Sequence, residues 1–262
     1  MRGGNLSAVR HLDVNTSYYF WEHIGAFLVR DGRNILVSPR QDVEESQLRL
    51  SLLGPIIATI LLQREYLVLH ASAVTFKDNG SAIFVGEKGE GKSSLAAALH
   101  AHGHGFLSYD VVAPETTEIS TLPPPVPRPK LWPEAIHLLE KNPEDYPRII
   151  NDVDKRNYRV SQRFYNRPEP LHCIYLLSEG ERPEVVSLSP TDAFLGLMAH
   201  TFAARLGRMS DEQSRAMHFK QLTTLVREVP VYRLKRIQSQ TPYNTITRLV
   251  EEHFYRNGHH HV

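Results

Sequence analysis

The stretch FVGEKGEGKSSLAAAL, residues 84–99, decides the fold, because a β-prone run leads through a glycine-rich loop into a helix. Residues 86–93 match the pattern G-x-x-x-x-G-K-[ST] without a gap. In such a phosphate-binding loop (P-loop), backbone N–H groups converge on phosphate oxygens and the helix N-terminus adds partial positive charge. Lys92 is predicted to reach the terminal phosphates of a nucleotide, and the Ser93 hydroxyl to ligate Mg²⁺. The predicted nucleotide-binding residues are Gly86, Glu87, Lys88, Gly89, Glu90, Gly91, Lys92, Ser93 and Ser94.

The segments on either side of the P-loop support this prediction. Two β-prone runs flank a Lys77–Gly80 turn and form a hairpin whose second strand enters the loop. An Ala- and Leu-rich helix follows the loop and ends at Gly103 or Gly105, and FLSYDVVA, residues 106–113, forms the next strand. Asp110 in that strand is the best candidate for the carboxylate that holds Mg²⁺ beside a P-loop, although a turn-capping role would also suit it.

The remaining elements alternate between strands and helices. Residues 15–38 indicate two antiparallel strands around Asp31-Gly32, and residues 43–63 indicate a helix kinked or restarted at Pro55. A proline-rich extended segment precedes a short helix at Pro133. Later elements are predicted as strands at 158–164, 171–177 and 229–237, and as helices at 193–206, 212–228 and 245–254. The expected organisation is one α/β domain, 1–262, with N-terminal strands and helix in 1–64, the P-loop core in 65–142 and C-terminal strands and helices in 143–262.

Composition excludes several classes of protein. Hydrophobic residues make up 41% of the 262 residues and charged residues 23%, so the chain is not disordered or fibrous. A net charge of +1 predicts no nucleic-acid partner. The longest apolar run, residues 52–62, is shorter than the roughly 20 residues that span a bilayer, so no membrane partner is expected. A single cysteine, Cys173, fits a reducing compartment, and we expect a cytoplasmic protein.

Several segments together resemble the HPr kinase/phosphorylase family. They are LHASAV (69–74), the P-loop segment, HGFLSYDVVA (104–113) and VPRPKLWP (126–133). The sequence is more closely similar to the HPr kinase-like proteins of bacterial peptide-natural-product clusters of the lasso-peptide type. This resemblance implies a mixed-sheet P-loop fold with flanking helices, shared with phosphoenolpyruvate carboxykinase. It also implies transfer of the γ-phosphate of ATP, or another nucleoside triphosphate, with Mg²⁺, to a serine hydroxyl.

The resemblance also implies catalytic residues. His70 matches the histidine that the family places before its P-loop, and Asp110 matches the second of two adjacent acids, so these two residues would orient or deprotonate the acceptor. Tyr109 stands where the family has its first acid, which puts the general base in doubt. Arg156 is our candidate for charge stabilisation in the transition state. It belongs to a basic cluster, for which a solvated face balanced by Asp152 and Asp154 is an equally good explanation. The cluster comprises Arg148, Lys155, Arg156, Arg159, Arg163 and Arg167.

Two classes of function remain open at this point. The first is a kinase that phosphorylates a Ser or Thr hydroxyl on a small protein or ribosomal precursor peptide, with a homo-oligomer possible. The second is a nucleotide-binding regulatory module without phosphotransfer, or a P-loop ATPase. Other conspicuous residues are expected to be structural. They are the closely spaced histidines His100, His102 and His104, the aromatic Trp132, the helix residues Met198, His200 and Phe202, and the buried Cys173.

Overall fold

A computed structural model gives the fold of residues 8–76, 80–115, 120–122, 130–150, 153–158, 168–208, 211–237 and 241–257. The strands are β1 (Ala8–Asp13), β2 (Thr16–Trp21), β3 (Gly25–Arg30), β4 (Asn34–Pro39), β5 (Ala71–Thr75), β6 (Ser81–Val85), β7 (Gly105–Tyr109), β8 (Thr121–Leu122), β9 (Lys130–Leu131), β10 (Arg148–Ile150), β11 (Val153–Asn157), β12 (Glu169–Glu179), β13 (Glu184–Ser187) and β14 (Val231–Arg236). The helices are α1 (Glu45–Ser51), α2 (Ile57–Gln63), α3 (Lys92–Ala101), α4 (Pro133–His137), α5 (Pro190–Met198), α6 (Phe202–Arg205), α7 (Glu212–Glu228) and α8 (Tyr243–Asn257).

The central sheet is mixed and has the order β13-β14-β12-β6-β5-β7, with β8 paired to the start of β12. Strand β12 runs parallel to both β6 and β14. Strand β5 runs antiparallel to β6 on one side and to β7 on the other. The predicted class, α/β with a mixed sheet and flanking helices, is therefore confirmed.

Helices cover both faces of this sheet, which explains why its strands β5 and β6 are buried at every position. Ile83 and Val85 lie in a core shared with α5 and α7. Their strand neighbours Ala82 and Phe84 point the other way, into a core shared with α3 and α8. Leu171–Leu177, which the sequence predicts as a buried strand, lies at the centre as part of β12 and pairs on both edges.

The N-terminal part forms a second sheet, an antiparallel meander in the order β1-β2-β3-β4. The prediction of two strands over residues 15–38 was wrong, because three strands occupy this range and a turn after Trp21 separates the first two. That turn contains no Asn-Gly or Asp-Gly signal, whereas the predicted turn at Asp31-Gly32 is present, with φ of 55° and 59°. Tyr19, Phe27 and Val29 face the helical segment that follows and are fully buried.

The predicted break in the helix of residues 43–63 is confirmed. Helix α1 passes through a π-helical turn, Leu52–Ile56, into α2, and Gly54 has non-helical angles of φ −122° and ψ −110° just before Pro55. By length and composition alone, Glu45–Gln63 would be long and apolar enough to cross a membrane. In this structure the segment packs against the inner face of the N-terminal sheet through Ile56 and Ile60.

The helix predicted over residues 193–206 is two helices. Helix α5 ends at Met198, and α6 starts again at Phe202 with Thr201 as its N-cap, whose hydroxyl accepts a hydrogen bond from the Ala204 N–H. Apolar residues recur at helical spacing across the break, so this pattern alone did not reveal that Thr201 caps a second helix. The joint of residues 199–201 is tied to the segment before β5, because the Phe202 N–H donates to the Val68 carbonyl at 2.8 Å.

Other predicted elements agree with the structure. Asp211 caps α7, as its position predicts, and accepts a hydrogen bond from the Ser214 N–H at 2.7 Å. Helix α3 ends before Gly103, which has φ 102°. Most of the predicted 158–164 strand, the Lys77–Asn79 part of the hairpin turn and most of the proline-rich segment lie outside the described residues.

The docking of α8 gives a first prediction. Phe254 is 2% exposed and stacks on the fully buried Phe76, with ring centroids 3.9 Å apart. Phe254→Ala is expected to lower the free energy of unfolding by about 3–5 kcal/mol, because it removes apolar contacts and leaves a cavity. Urea denaturation checks this. Leu195→Ala, at a position 60% exposed on α5, is the control and should change stability by less than about 0.5 kcal/mol.

Candidate functional site

The P-loop connects β6 to α3 in the way the sequence predicts. Its Gly89 and Gly91 have φ of 98° and 74°, values that side chains rarely allow. The Lys92 ammonium folds back over the loop and donates to the carbonyls of Gly86 at 2.7 Å and Glu87 at 2.8 Å. The Glu87 N–H donates to a carboxylate oxygen of Glu90 at 2.6 Å, so an anionic oxygen already occupies one amide of the loop.

Lys92 is a buried cation with acids nearby. It is 7% exposed. Burial lowers the pKa of Lys92, and the carboxylates of Glu90 and Asp110 offset part of that fall. The ammonium is therefore held at the loop by carbonyls and by the charges around it, at the position from which it would meet phosphate oxygens.

Residues from a distant part of the sequence support the rear of the loop. Arg236, the last residue of β14, donates to the Glu90 carbonyl at 2.8 Å and lies over the Tyr243 ring. A Cβ atom at Gly91 would stand 2.7 Å from the Tyr243 hydroxyl and 2.8 Å from the Arg236 guanidinium. Glycine at 91 is thus required both by its φ and by the close approach of these side chains.

Sheet topology brings Asp110 and His70 to the loop. Because β5 is antiparallel to both β6 and β7, those two strands end at the same edge of the sheet, and β5 begins there. The P-loop follows β6, Asp110 follows β7 and His70 precedes β5. The predicted residues Lys92, Asp110 and His70 therefore meet at one edge.

The hydrogen bonds of His70 fix its tautomer. Arg205 Nη1 lies 3.2 Å from His70 Nδ1, and a guanidinium can only donate, so Nδ1 is the acceptor. The ring proton is then on Nε2, which lies 3.1 Å from Asp110 Oδ1 and donates to it. Both ring nitrogens are occupied, so His70 orients Asp110 and has no lone pair left for a proton from an acceptor.

His200 faces the loop from the α5–α6 joint. Its carbonyl accepts from the His70 N–H at 2.9 Å, and its Nδ1 lies 4.0 Å from Glu87 Oε1. His200 is buried, as predicted, but it lies in the break between two helices and not within one helix. Burial lowers the pKa of His200; Glu87 raises it, and Lys92, His70 and Arg205 lower it further.

Tyr109, which directly precedes Asp110, lies beside Ser93. Burial raises the pKa of the Tyr109 phenol, the neighbouring Ser93 hydroxyl offsets part of the rise, and Asp110 adds to it. Tyr109 is therefore a neutral phenol at physiological pH and cannot replace a carboxylate as a base.

The role predicted for Arg156 is not supported by its position. Its side chain is 5% exposed, and its guanidinium pairs with Glu144 at 2.8 Å and Asp154 at 2.9 Å. Neighbouring side chains of a strand point to opposite faces, and Lys155 is the one directed to the site. Burial lowers the pKa of Lys155, Asp110 raises it and Lys88 lowers it. Arg159, Arg163 and Arg167 lie outside the described residues.

The other singled-out residues fall into two groups. His102 and His104 both pair with Glu251 of α8, at 3.3 and 2.8 Å, and Cys173 is 4% exposed, so these residues are structural. Burial raises the pKa of Cys173 to about 12. Trp132 differs from expectation, because it is 41% exposed and lies under the Lys155 ammonium at 5.3 Å.

The residues at the loop fit a nucleotide with Mg²⁺. Ser93 and Asp110 offer a hydroxyl and a carboxylate, the oxygen ligands that Mg²⁺ prefers, and protein sites for this ion commonly use few side chains together with substrate phosphates. Within the described ranges, no group of three or more His, Cys, Asp or Glu side chains could hold a metal. A resident metal held only by protein is thus not found in that part of the chain.

No family model and no curated protein matches this chain. Among solved structures, the chain is similar to the HPr(Ser) kinase/phosphatase from Coxiella burnetii, with 12% identity over 72% of this chain and 91% of that one. The TM-score of this match is 0.40.

Sequence reasoning missed three residues of the site: His200, Arg205 and Arg236. Arg236 could not be found, because no local pattern connects it to a loop 146 residues away. A signal for the first two was present, since Thr201 is a common N-cap residue and could have marked a new helix start between them.

The contrast between Arg156 and Lys155 gives the second prediction. Arg156→Met is expected to lower the free energy of unfolding by about 1–3 kcal/mol, since it removes two ion pairs from a buried side chain. Lys155→Met should change it by less than about 0.5 kcal/mol, because methionine preserves the aliphatic stem. Chemical denaturation of both variants checks this, and equal losses would contradict the assignment.

Proposed function

We propose that this chain is a kinase that transfers the γ-phosphate of ATP, with Mg²⁺, to a serine or threonine hydroxyl on a small protein or precursor peptide. The observation that carries the proposal is the meeting of Lys92, Asp110 and His70 with the P-loop at one sheet edge. A P-loop alone would bind phosphate, whereas a carboxylate oriented by a histidine beside it suits group transfer.

Each part of the site has a task in this proposal. Loop amides and Lys92 bind the phosphates, and Ser93 and Asp110 would hold Mg²⁺. When bound, the ion supplies positive charge that offsets the phosphate oxygens. His70 keeps the Asp110 carboxylate in place, and Arg205 and Lys155 add positive charge at the edge of the site. Catalysis then rests on positioning and charge stabilisation.

The acceptor and setting are finer parts of the proposal. We favour a ribosomal precursor peptide of the kind made by lasso-peptide type clusters, in a bacterial cytoplasm. The test is to incubate the protein with ATP, Mg²⁺ and the peptides that the small open reading frames beside its gene encode. The intact mass of each peptide is then measured. One added phosphate on a neighbouring peptide supports the proposal, and no addition to any of them, with ATP binding intact, counts against a peptide acceptor.

Lys92→Ala is the central variant. Phosphoryl transfer is expected to fall about 100- to 1000-fold, because a preorganised charge at the phosphates is lost. Lys220→Ala, at an exposed position of α7 outside the loop, is the charge-matched control and should stay within about threefold of the wild type. Phosphopeptide formation measured by mass spectrometry checks both. An unchanged rate in Lys92→Ala would contradict the role of Lys92 in phosphoryl transfer.

A second candidate function, a nucleotide-binding module without phosphotransfer, is favoured by Tyr109 beside Ser93. The variants Tyr109→Asp and Tyr109→Phe separate the two functions. If the chain is a kinase, Tyr109→Asp should lower transfer about tenfold or more, since a second buried carboxylate beside Asp110 is repelled. Tyr109→Phe should keep ATP affinity within about threefold, as calorimetry would show. Transfer gained by Tyr109→Asp from a silent wild type would instead support the module.

A further inference from the structure

His200 occupies the site because the chain breaks between α5 and α6. Its backbone carbonyl is bonded to the His70 N–H at 2.9 Å, and the next residue, Thr201, bridges to Leu69. These backbone contacts hold the joint against the segment that leads into β5. The position of the His200 side chain therefore does not depend on a flexible loop.

The His200 imidazole is a buried polar group whose Nδ1 is not used by the protein. The residue is 9% exposed, and Nδ1 has no hydrogen-bond partner among the described residues. The charged or titratable groups that act on it are Glu87 and Lys92 of the P-loop segment, His70 before β5 and Arg205 of α6. Glu87 Oε1, at 4.0 Å, is too far for a hydrogen bond. A buried nitrogen without a partner is costly, and one aimed at a phosphate-binding loop indicates a ligand.

The other groups at this edge are less suited to take a proton. Both nitrogens of His70 are occupied by Arg205 and Asp110. Tyr109 is a neutral phenol, because burial raises its pKa. Asp110 is engaged by His70 and is the carboxylate available for the ion.

We propose that His200 is the catalytic proton acceptor of the phosphoryl transfer, acting through Nδ1; this inference rests on the proposed function. The acceptor hydroxyl gives its proton to the Nδ1 lone pair while its oxygen forms a bond to the γ-phosphorus. The bond from that phosphorus to the bridging oxygen breaks, and ADP leaves with the electron pair. The resulting imidazolium returns its proton to solvent.

The surroundings of His200 suit this task. A base must be unprotonated, and burial together with Lys92, His70 and Arg205 lowers the pKa of His200, while Glu87 offsets only part of the effect. The imidazole is then neutral at physiological pH. The rate should fall as pH falls through a value below the ordinary 6.5 of histidine, because protonated His200 cannot accept the proton.

The test uses the full chain with ATP and Mg²⁺, and water as the acceptor hydroxyl, with inorganic phosphate release as the measurement. His200→Gln is expected to slow release about 100- to 10,000-fold and to abolish the decline of the rate at low pH. Its affinity for ATP with Mg²⁺, measured by calorimetry, should stay within about threefold of the wild type. The split between rate and affinity separates a base from a residue that only maintains the loop.

A matched control is available on α7. His218 is also buried, has an Nε2 without a partner among the described residues and a pKa lowered by burial, but it lines a separate cavity with Arg208, Met217 and Gln221. His218→Gln should keep both the rate and its decline at low pH. A wild-type rate that does not decline below pH 6.5 overturns the proposal without any variant.

The remaining outcomes are also decisive. His200→Gln with an unchanged rate and pH profile overturns the role of His200. A wild type that binds ATP with Mg²⁺, but neither releases phosphate nor phosphorylates any peptide encoded beside its gene, also overturns the role of His200 and leaves nucleotide binding standing. A wild type that fails to bind ATP overturns the proposed function itself.

Discussion

The site depends on the placement of β5 between β6 and β7, antiparallel to both. Strands β6 and β7 therefore run in the same direction, although β5 separates them. The ends of β6 and β7 and the start of β5 lie at the same edge of the sheet. A loop, an acid and a histidine that are separated in sequence become neighbours as a result. In an open sheet with uninterrupted parallel pairing, the residue before the central strand would lie at the far edge, and His70 could not reach Asp110.

Local patterns predicted what is local. The P-loop, the α3 helix, the Asp31-Gly32 turn and the buried strand of residues 171–177 each depend on short-range chemistry, and each is present. The turn after Trp21 was missed although Gly25, with φ of 133°, ends it, because the turn lies within a continuous β-prone run. The break before Thr201 was missed because apolar periodicity continues across it. Of the site, the loop residues and the approach of Asp110 and His70 could be predicted, whereas Arg236, which supports the loop, required the tertiary fold.

The structure changed the roles predicted for Arg156 and His70. Arg156 and Lys155 are adjacent in sequence, yet strand geometry sends one to Glu144 and Asp154 and the other toward Asp110 and Lys88. Composition alone could not distinguish them. His70 kept its position but changed its task, since a guanidinium on one nitrogen and a carboxylate near the other leave it only an orienting role.

The contact between Arg236 and the Glu90 carbonyl also bears on how the protein is made. The two residues are 146 positions apart, so the ribosome releases the P-loop long before the side chain that supports it. During synthesis the loop has neither β12 nor β14 beside it, and closing so long a connection is slow compared with forming α3. The nascent chain therefore carries the P-loop without its Arg236 support, which arrives only when β14 joins the central sheet.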